Sequence, residues 1–293
     1  METVTRQRCA WTWPAMGTTW RIYHEGSVPA ETAGAVAALV AADESRWSRF
    51  LEDSELSHLN RCAGTPVAVS AETFDLLRAC DEWTTRTRGV FQPLIGGALV
   101  EWGYRSSLLE QAAGIDQSPA DVSAIEGRIE LDSRHRTACL PADAQLDLGG
   151  IAKSWSVVRA GRLAASMCEE LSLLIDGGGD LHAVRGEHSI VVDLPSGHDE
   201  EIVLRPGEGV ATSSSARRHW RNGDGVEAHH LIDPATGRPC AAAQATVIAA
   251  DPVAADVLAS VVSIRPEVIW ELDEAASVCT RDTRIVNRPW EQR

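Results

Sequence analysis

The sequence predicts an α+β fold built as one unit. Strand-like and helix-like segments are mixed along the chain, without the regular alternation of strand and helix that produces a parallel sheet. Of the 293 residues, 44% are hydrophobic and 24% are charged, which is typical of a globular protein with a large core. Neither an internal repeat nor a linker-like stretch divides the chain.

The N-terminal third is predicted to contain one strand and two helices. Residues 18–24 alternate between polar and apolar side chains, and residues 29–50 repeat apolar side chains with the period of a helix. Residues 52–60 are mostly polar and are expected to form a connection. Ser70 is a good N-cap, and it predicts a helix from this position to about Arg86.

Glycines and a proline mark the boundaries in the rest of the chain. Residues 146–165 predict a short strand, a glycine turn and a helix, and residues 171–184 predict a hydrophobic strand broken by three glycines. Asp251 suits the N-cap and Pro252 the first position of a helix over residues 251–264. Further short strands are expected around residues 189–193, 201–204, 209–213, 227–232 and 244–250.

The charge and the cysteines limit the partners and the compartment. A formal net charge of −15 argues against nucleic acid and anionic membranes as partners. The seven cysteines are scattered without a Cys-x-x-Cys pair, as in proteins of a reducing compartment. We see no signal peptide, and the Ala-rich stretches 33–42 and 240–264 are too polar for a membrane span. We therefore expect a soluble cytoplasmic protein.

Three glycine- or serine-rich segments are candidates for phosphate contact. Residues 149–153 (GGIAK) open a helix whose N–H groups can approach an anion, although tight packing of this helix on a sheet explains the glycines better. Residues 176–180 (DGGGD) indicate close approach by a strand or by a ligand, with equal weight. Residues 209–218 combine hydroxyls with arginines, which suits either a phosphate or a solvated turn.

Two patterns are compatible with a metal ion. Asp256 and Ser260 are four residues apart on the predicted C-terminal helix, so they share a face and offer hard oxygen ligands of the kind that Mg²⁺ prefers. Taken alone, the pair is better explained as a small polar stripe on a buried helix. The histidine pair 229–230 with Asp233 and Cys240 offers a zinc interpretation, but its spacing matches no standard zinc site.

Eight short segments occur in a characteristic order along the chain. They are MGTTW (16–20), DSELSHLN (53–60), GVFQPLIGGALVEWGY (89–104), LDLGGIAK (146–153), LLIDGGGDLHA (173–183), VATSS (210–214), HHLIDPATGRP (229–239) and ADVLAS (255–260). Together they resemble the ApbE family, the FAD:protein FMN transferases or flavin transferases. The resemblance runs from about residue 14 to about residue 265.

The resemblance implies a fold and a reaction. The fold would be a single ApbE-like (T-fold-like) α+β unit with two lobes around a central FAD cleft. It would occupy residues 14–285, between an N-terminal extension (1–13) and a C-terminal tail (286–293). Family members bind FAD and Mg²⁺ and transfer FMN to a Ser or Thr hydroxyl of an acceptor protein, releasing AMP. Some relatives hydrolyse FAD to FMN and AMP instead.

The resemblance also assigns roles to residues. Asp256, Ser260 and the backbone carbonyl of Gly150 would be the metal ligands, with Ser260 in place of the family's usual threonine. His230 would face the site as the base that deprotonates the acceptor hydroxyl, followed by Asp233, whereas His229 would not face it. The residues expected to contact FAD are Met16, Gly17, Phe50, Phe91, Gln92, Asp147, Lys153, Gly178, Gly179, Thr212, Ser213, His230, Leu231 and Ile232.

Four positions depart from the family pattern. Ser154 and Ser214 replace glycines, and Gln92 and Val158 stand where the family usually has aspartates. A serine in place of a required glycine would narrow the pocket or strain the backbone. The transferase interpretation is favoured because the metal pair and the H-x-x-D-P motif are intact. An FAD hydrolase comes next, and a non-catalytic homologue that binds FAD is the third interpretation.

Overall fold

The computed structural model describes residues 8–26, 28–106, 123–169, 172–193, 199–216, 219–221, 226–241, 244–268 and 284–287. The helices are α1 (Ala30–Trp47), α2 (Glu55–Arg61), α3 (Ala71–Arg86), α4 (Gly96–Glu101), α5 (Ala152–Met167) and α6 (Pro252–Ile264). The strands are β1 (Arg8–Ala15), β2 (Thr18–Glu25), β3 (Val67–Ala68), β4 (Glu130–Asp132), β5 (Thr137–Cys139), β6 (Ser172–Gly177), β7 (Leu181–Arg185), β8 (His188–Asp193), β9 (Asp199–Leu204), β10 (Gly209–Ser214), β11 (His219–Arg221), β12 (Glu227–His229), β13 (Ile232–Asp233), β14 (Arg238–Pro239), β15 (Gln244–Ala249) and β16 (Arg284–Asn287).

A seven-stranded antiparallel sheet forms the centre of the molecule. Its strand order is β1-β2-β6-β7-β10-β15-β16. In the register, Trp20 of β2 lies opposite Gly177 of β6, and Thr212 of β10 lies opposite Thr246 of β15. The sheet therefore places residues side by side that are far apart in the sequence.

The two faces of this sheet are covered by different elements. Successive residues of a strand point to opposite faces. Ile22 belongs to an apolar cluster with Val36 of α1 and Val157 of α5, whereas the next residue, Tyr23, packs with Ile190 of the β8–β9 hairpin. Helix α6 lies on the same face as α5 and packs against it. One face is thus covered by helices and the other by a hairpin.

Smaller elements surround this layered core. Helices α2 and α3 and the three-stranded sheet β3-β5-β4 share one large apolar cluster with α5 and α6. Helix α4 and the short pairs β11–β12 and β13–β14 enclose a separate cluster that contains Trp102, Tyr104, Trp220 and Ile232. No helix in the described ranges has the length and apolarity that crossing a bilayer requires.

The predicted α+β class and most of the predicted elements are confirmed. Residues 18–24 lie in β2, and Ser70 caps α3 by accepting a hydrogen bond from the Thr73 N–H at 3.2 Å. Asp251 caps α6 in the same way, with 3.0 Å from the Val253 N–H to its carboxylate. The predicted strand over 227–232 is two short strands, β12 and β13, with a bend at His230.

Two predicted elements are wrong. Residues 52–60 are not a plain connection, because Ser54 caps helix α2 and the helix buries Leu56 and Leu59 in the core. Leu56 and Leu59 are three residues apart, so they lie on one face of this short helix, and burial of that face stabilises it despite its polar composition. Residues 146–148 are not a strand: Leu146 binds the Asn60 side chain instead, its N–H donating to Oδ1 and its carbonyl accepting from Nδ2.

The burial of His182 makes the stability of the fold depend on pH. Burial lowers the pKa of His182 on β7 to about 4, whereas the unfolded chain titrates near 6.5. Between these values the unfolded chain binds a proton that the folded chain does not. Stability is therefore lost as the pH falls through this window, by up to ~3 kcal/mol from this group.

We expect His182→Gln to flatten the loss of unfolding free energy between pH 6.5 and pH 4, as measured by denaturant titration. The slope is the readout, because the substitution itself changes the absolute stability. His135→Gln is the control, since the His135 side chain is 74% exposed. Equal slopes for the unsubstituted chain and His182→Gln would contradict the prediction.

Candidate functional site

Two tight turns at one end of the central sheet are in contact. Met16 and Gly17 form the turn between β1 and β2, with φ of 50° and 68°. Gly178 lies in the turn between β6 and β7 with φ of 78°, and a Cβ added there would lie 2.0 Å from the Thr18 hydroxyl oxygen. Only glycine fits a left-handed conformation at such a close approach. The contact is made by Thr18, the residue that follows the Met16–Gly17 turn, so this turn lies beside Gly178. The resemblance assigns Met16, Gly17 and Gly178 to the FAD site.

The glycine turn between β6 and β7 is held by Asp176. Its Oδ1 accepts hydrogen bonds from the N–H groups of Gly178 and Gly179, both at 2.8 Å, and its Oδ2 lies 3.1 Å from the Arg21 guanidinium. Burial raises the pKa of Asp176, and these hydrogen bonds and Arg21 oppose that shift. Because Asp176 already uses both N–H groups, the glycines shape the turn and do not present these donors to a phosphate.

The start of α5 lies beside this turn. Lys153, in the first turn of α5, forms an ion pair with Asp180 at the end of the glycine turn. Gly150 lies in the loop before the helix, and a Cβ added there would lie 3.6 Å from the Phe91 ring. Two further predicted residues, Gly150 and Phe91, are thus neighbours. The Lys153–Asp180 pair fixes the helix to the sheet.

Asp147 is held by an arginine that the sequence analysis did not identify. Arg49 lies 2.7 Å from its Oδ2, and both side chains are nearly buried. The Arg49 guanidinium lies 4.4 Å from the centre of the Phe50 ring and 4.6 Å from that of Tyr104, in cation–π contact with both. Tyr104 in turn stacks on Trp220. Phe50, which is 38% exposed, ends this row of rings at the surface.

Gln92, a predicted contact, has its side chain occupied by the backbone. Its Nε2 donates to the Gly127 carbonyl at 3.4 Å, and its Oε1 accepts from the Leu94 N–H at 3.3 Å. The next residue, Pro93, accepts the Asp147 N–H at 2.8 Å. Gln92 therefore supports the segment that carries Asp147.

The two serines that replace family glycines are accommodated without strain. Neither Ser154 nor Ser214 is among the non-glycine residues with positive φ. The Ser154 hydroxyl is buried and donates to the Ile151 carbonyl at 3.0 Å, and the Ser214 hydroxyl accepts from the Ala216 N–H at 3.3 Å. Both side chains point to local backbone. The expected backbone strain is not found at these positions.

The proposed metal ligands lie on one face of α6. Asp256 is 5% exposed, and one turn later Ser260 keeps partial access to solvent. The Ser260 hydroxyl lies 2.9 Å from the Ser213 hydroxyl of β10. The neighbouring Thr212 points to the opposite face of the sheet, where its hydroxyl lies 2.8 Å from that of Thr246. Of the predicted pair Thr212 and Ser213, only Ser213 has its side chain beside the metal ligands.

The two histidines differ in their environments. Both ring nitrogens of His229 contact backbone: Nε2 lies 3.0 Å from the Cys240 carbonyl, and Nδ1 accepts the Leu231 N–H at 3.3 Å. Burial lowers the pKa of His229, so its ring is a neutral structural group. His230 is half-buried in the bend between β12 and β13. It is followed by Leu231 and Ile232, which are buried in the core.

Asp233 supports this segment by anchoring it to α6. Its two carboxylate oxygens lie 2.9 and 3.2 Å from the Arg265 guanidinium just after α6, and Oδ1 also accepts the Ala235 N–H.

The residues of the zinc interpretation do not form a metal site. Burial raises the pKa of Cys240 to about 12, so its thiol stays protonated. No cluster of three His, Cys, Asp or Glu residues suited to a metal occurs in the described part of the chain. The zinc interpretation has no support.

Four supporting residues had not been predicted: Arg49, Asp176, Asp180 and Arg265. Each forms an ion pair with a residue far away in sequence or closes a turn. For Asp176 and Asp180 the DGGGD pattern was a visible signal, since carboxylates that flank glycines often bind the N–H groups of the turn. Nothing in the sequence marks Arg49 or Arg265 as different from other arginines.

Comparison with known proteins identifies the family. The family model described as the ApbE family matches residues 16–277. The chain belongs to the ApbE family. Among curated proteins, an FAD:protein FMN transferase from Vibrio cholerae is 26% identical over 239 residues, which cover 77% of this chain and 71% of that protein. A protein of the same name from Escherichia coli is also 26% identical, over 76% of this chain and 68% of its own length.

Solved ApbE structures share the fold. The ApbE protein from Thermotoga maritima superposes with a TM-score of 0.80 at 24% identity, covering 96% of this chain and 93% of that one. The flavin transferase ApbE from Vibrio cholerae gives a TM-score of 0.76 at 24% identity, covering 96% and 97% of the two chains. The predicted ApbE-like α+β fold is therefore confirmed.

We expect the contact between the two turns to be sensitive to one methyl group. Gly178→Ala places a Cβ against Thr18 and imposes positive φ on alanine, so it should lower the unfolding free energy by about 3 kcal/mol. Gly17→Ala is the matched control, because its φ is also positive but, apart from its chain neighbours, no atom of the described residues lies within 4 Å of the added Cβ. It should cost about 1 kcal/mol. Equal losses in urea unfolding would show that the contact is not tight.

Proposed function

We propose that this ApbE family member is a Mg²⁺-dependent FAD:protein FMN transferase. It would transfer FMN from FAD to a Ser or Thr hydroxyl of an acceptor protein and release AMP. The family match and the names of the curated relatives support transferase chemistry on a flavin. The observation that carries the proposal is the carboxylate of Asp256 and the hydroxyl of Ser260 on one face of α6, next to Ser213.

The donor set fits a hard divalent cation. Asp256, Ser260 and the Gly150 carbonyl would hold Mg²⁺, and all three supply oxygen. Asp256 is the one carboxylate of this proposed set, and Mg²⁺ usually keeps water and substrate phosphate in its remaining positions. When bound, the cation would offset the negative charge on the pyrophosphate of FAD and on the departing AMP.

His230 is proposed as the base. It would take the proton of the acceptor hydroxyl as that oxygen bonds to the FMN phosphorus. The bond from this phosphorus to the bridging oxygen breaks, and AMP leaves with the electron pair. His229 is unsuited to this role, since both of its ring nitrogens contact backbone and burial favours its neutral form. Asp233 is proposed to position the segment that carries His230, because its carboxylate is already bonded to the Arg265 guanidinium and the Ala235 N–H.

The remaining predicted residues are proposed to bind and orient FAD. Met16 and Gly17 would line the cleft at the turn that touches Gly178. Asp147 and Lys153 would contact the cofactor from the loop and first turn of α5, each held by an ion pair with Arg49 or Asp180. The full proposed set of FAD contacts is Met16, Gly17, Phe50, Phe91, Gln92, Asp147, Lys153, Gly178, Gly179, Thr212, Ser213, His230, Leu231 and Ile232.

The first test is release of AMP from FAD and formation of a flavin–protein bond. We expect both to require Mg²⁺ and to be abolished by EDTA, with AMP followed by chromatography and labelled protein by in-gel flavin fluorescence. Asp256→Ala and His230→Ala should each lower the rate by at least ~100-fold. Asp75→Ala and His135→Ala are controls, since both side chains are exposed and neither belongs to the proposed set of site residues.

The products decide between the possible activities. AMP with free FMN and no labelled protein would favour FAD hydrolysis by the same site. Binding of FAD without AMP release in the presence of candidate acceptors would favour a non-catalytic homologue. Full activity of Asp256→Ala or of His230→Ala would overturn the role assigned to that residue.

The anchoring role of Asp233 leads to a separate prediction. Arg265→Gln removes the charge that fixes the segment carrying His230, so we expect about a tenfold fall in kcat with a smaller change in the KM for FAD. Arg78→Gln is the matched control, because it breaks an exposed ion pair with Asp75 and should leave kcat unchanged. A change in KM alone would argue that Arg265 affects cofactor binding instead.

A further inference from the structure

A row of polar side chains on α6 faces β10. Asp256, Ser260 and Ser263 occupy positions i, i+4 and i+7 of the helix, so they lie on one side of it. Ser213 of β10 lies opposite them. Asp256, Ser263 and Ser213 are at most 7% exposed, although α6 is otherwise almost entirely apolar. We call these four residues the α6–β10 seam.

Two polar groups of Ser213, its hydroxyl and its backbone carbonyl, contact α6. Its hydroxyl lies 2.9 Å from the Ser260 hydroxyl, and its carbonyl accepts the Ser263 hydroxyl at 3.3 Å. Its partner across the sheet is Ala245, which has no polar side chain. Buried hydroxyls stay where they can form hydrogen bonds. The Ser213 hydroxyl is therefore directed at Ser260 by its surroundings.

Ser260 needs such a partner more than a threonine would. The second branch of a threonine side chain limits χ1 to fewer rotamers in a helix. Serine lacks that branch, so its hydroxyl turns between staggered positions more freely. A hydroxyl that binds a cation must also point its proton away from the ion and its lone pairs toward it. Ser213 is placed to accept that proton.

We propose that Ser213 is a positioning residue of the cation site, which sets the rotamer and proton direction of Ser260 through the hydroxyl–hydroxyl contact. The contact supplies a restraint that a threonine at position 260 would obtain from its own methyl branch. The inference rests on the proposed function, because it assumes that Asp256 and Ser260 bind a divalent cation. It adds a residue outside the proposed ligand set of Asp256, Ser260 and Gly150.

The test is a double-mutant cycle on cation affinity. Mn²⁺ is the probe, since it prefers the same oxygen ligands and its free concentration is read directly by EPR. The full chain is titrated as the unsubstituted protein, Ser213→Ala, Ser260→Thr and the double variant. Ser213→Ala should weaken Mn²⁺ binding about fivefold to tenfold in the unsubstituted chain, but less than about twofold when Ser260 is threonine.

Two controls separate positioning from general damage to the seam. Ser263→Ala removes a neighbouring hydroxyl of the seam but leaves the Ser213–Ser260 contact in place, so it should keep Mn²⁺ affinity within about twofold. The thermal unfolding of every variant is measured as well, and a cooperative transition shows that the variant is folded. Equal weakening by Ser263→Ala and Ser213→Ala, or equal effects of Ser213→Ala in both backgrounds, would overturn the positioning role.

The failure of this inference and that of the proposed function give different results. Asp256→Ala should abolish Mn²⁺ binding if the cation site exists. Loss of binding in Asp256→Ala with unchanged affinity in Ser213→Ala would overturn the inference and leave the cation site intact. Unsubstituted protein that does not bind Mn²⁺ at millimolar concentration would overturn the cation site, and the positioning role with it.

Discussion

The burial of α6 against β10 and β15 is the contact on which the rest of the site depends. This helix is apolar around most of its circumference, and its position is fixed by a large hydrophobic cluster. Asp256 and Ser260 can occupy one face because the free energy of burying the other faces is much larger than the cost of two polar groups. At its end, Arg265 binds Asp233 and so positions the bend that carries His230. One packed helix therefore sets both the proposed cation ligands and the proposed base.

The charges of the site are balanced before any substrate arrives. Lys153 is paired with Asp180, and Arg49 is paired with Asp147. Because the positive charges of Lys153 and Arg49 are offset by these carboxylates, the two side chains contribute little net positive charge to the site. A protein with a net charge of −15 that binds a pyrophosphate would then need an added divalent cation. This balance is consistent with the Mg²⁺ dependence that we propose.

The glycine turns act through shape. Asp176 binds the N–H groups of Gly178 and Gly179, and Gly178 allows Thr18 to approach within contact distance. The close approach expected of the DGGGD segment is thus made by another turn of the same sheet. In addition to the proposed contacts of Gly178 and Gly179 with FAD, the segment fixes where the Met16–Gly17 turn lies and keeps Asp180 beside Lys153.

Local patterns in the sequence determined the fold class, the caps of α3 and α6, and the helix face that Asp256 and Ser260 share, because each depends on residues within one or two helical turns. The same reasoning failed at α2, where the burial of Leu56 and Leu59 outweighed a polar composition, and at residues 146–148, where the Asn60 side chain replaced a neighbouring strand. Only the tertiary structure decided that the Ser213 side chain faces Ser260 while the Thr212 side chain points to the other face of the sheet. It also decided the ion pairs of Arg49 with Asp147 and of Arg265 with Asp233. These pairs join residues far apart in the chain, and no local preference encodes a contact that forms only when distant elements pack together.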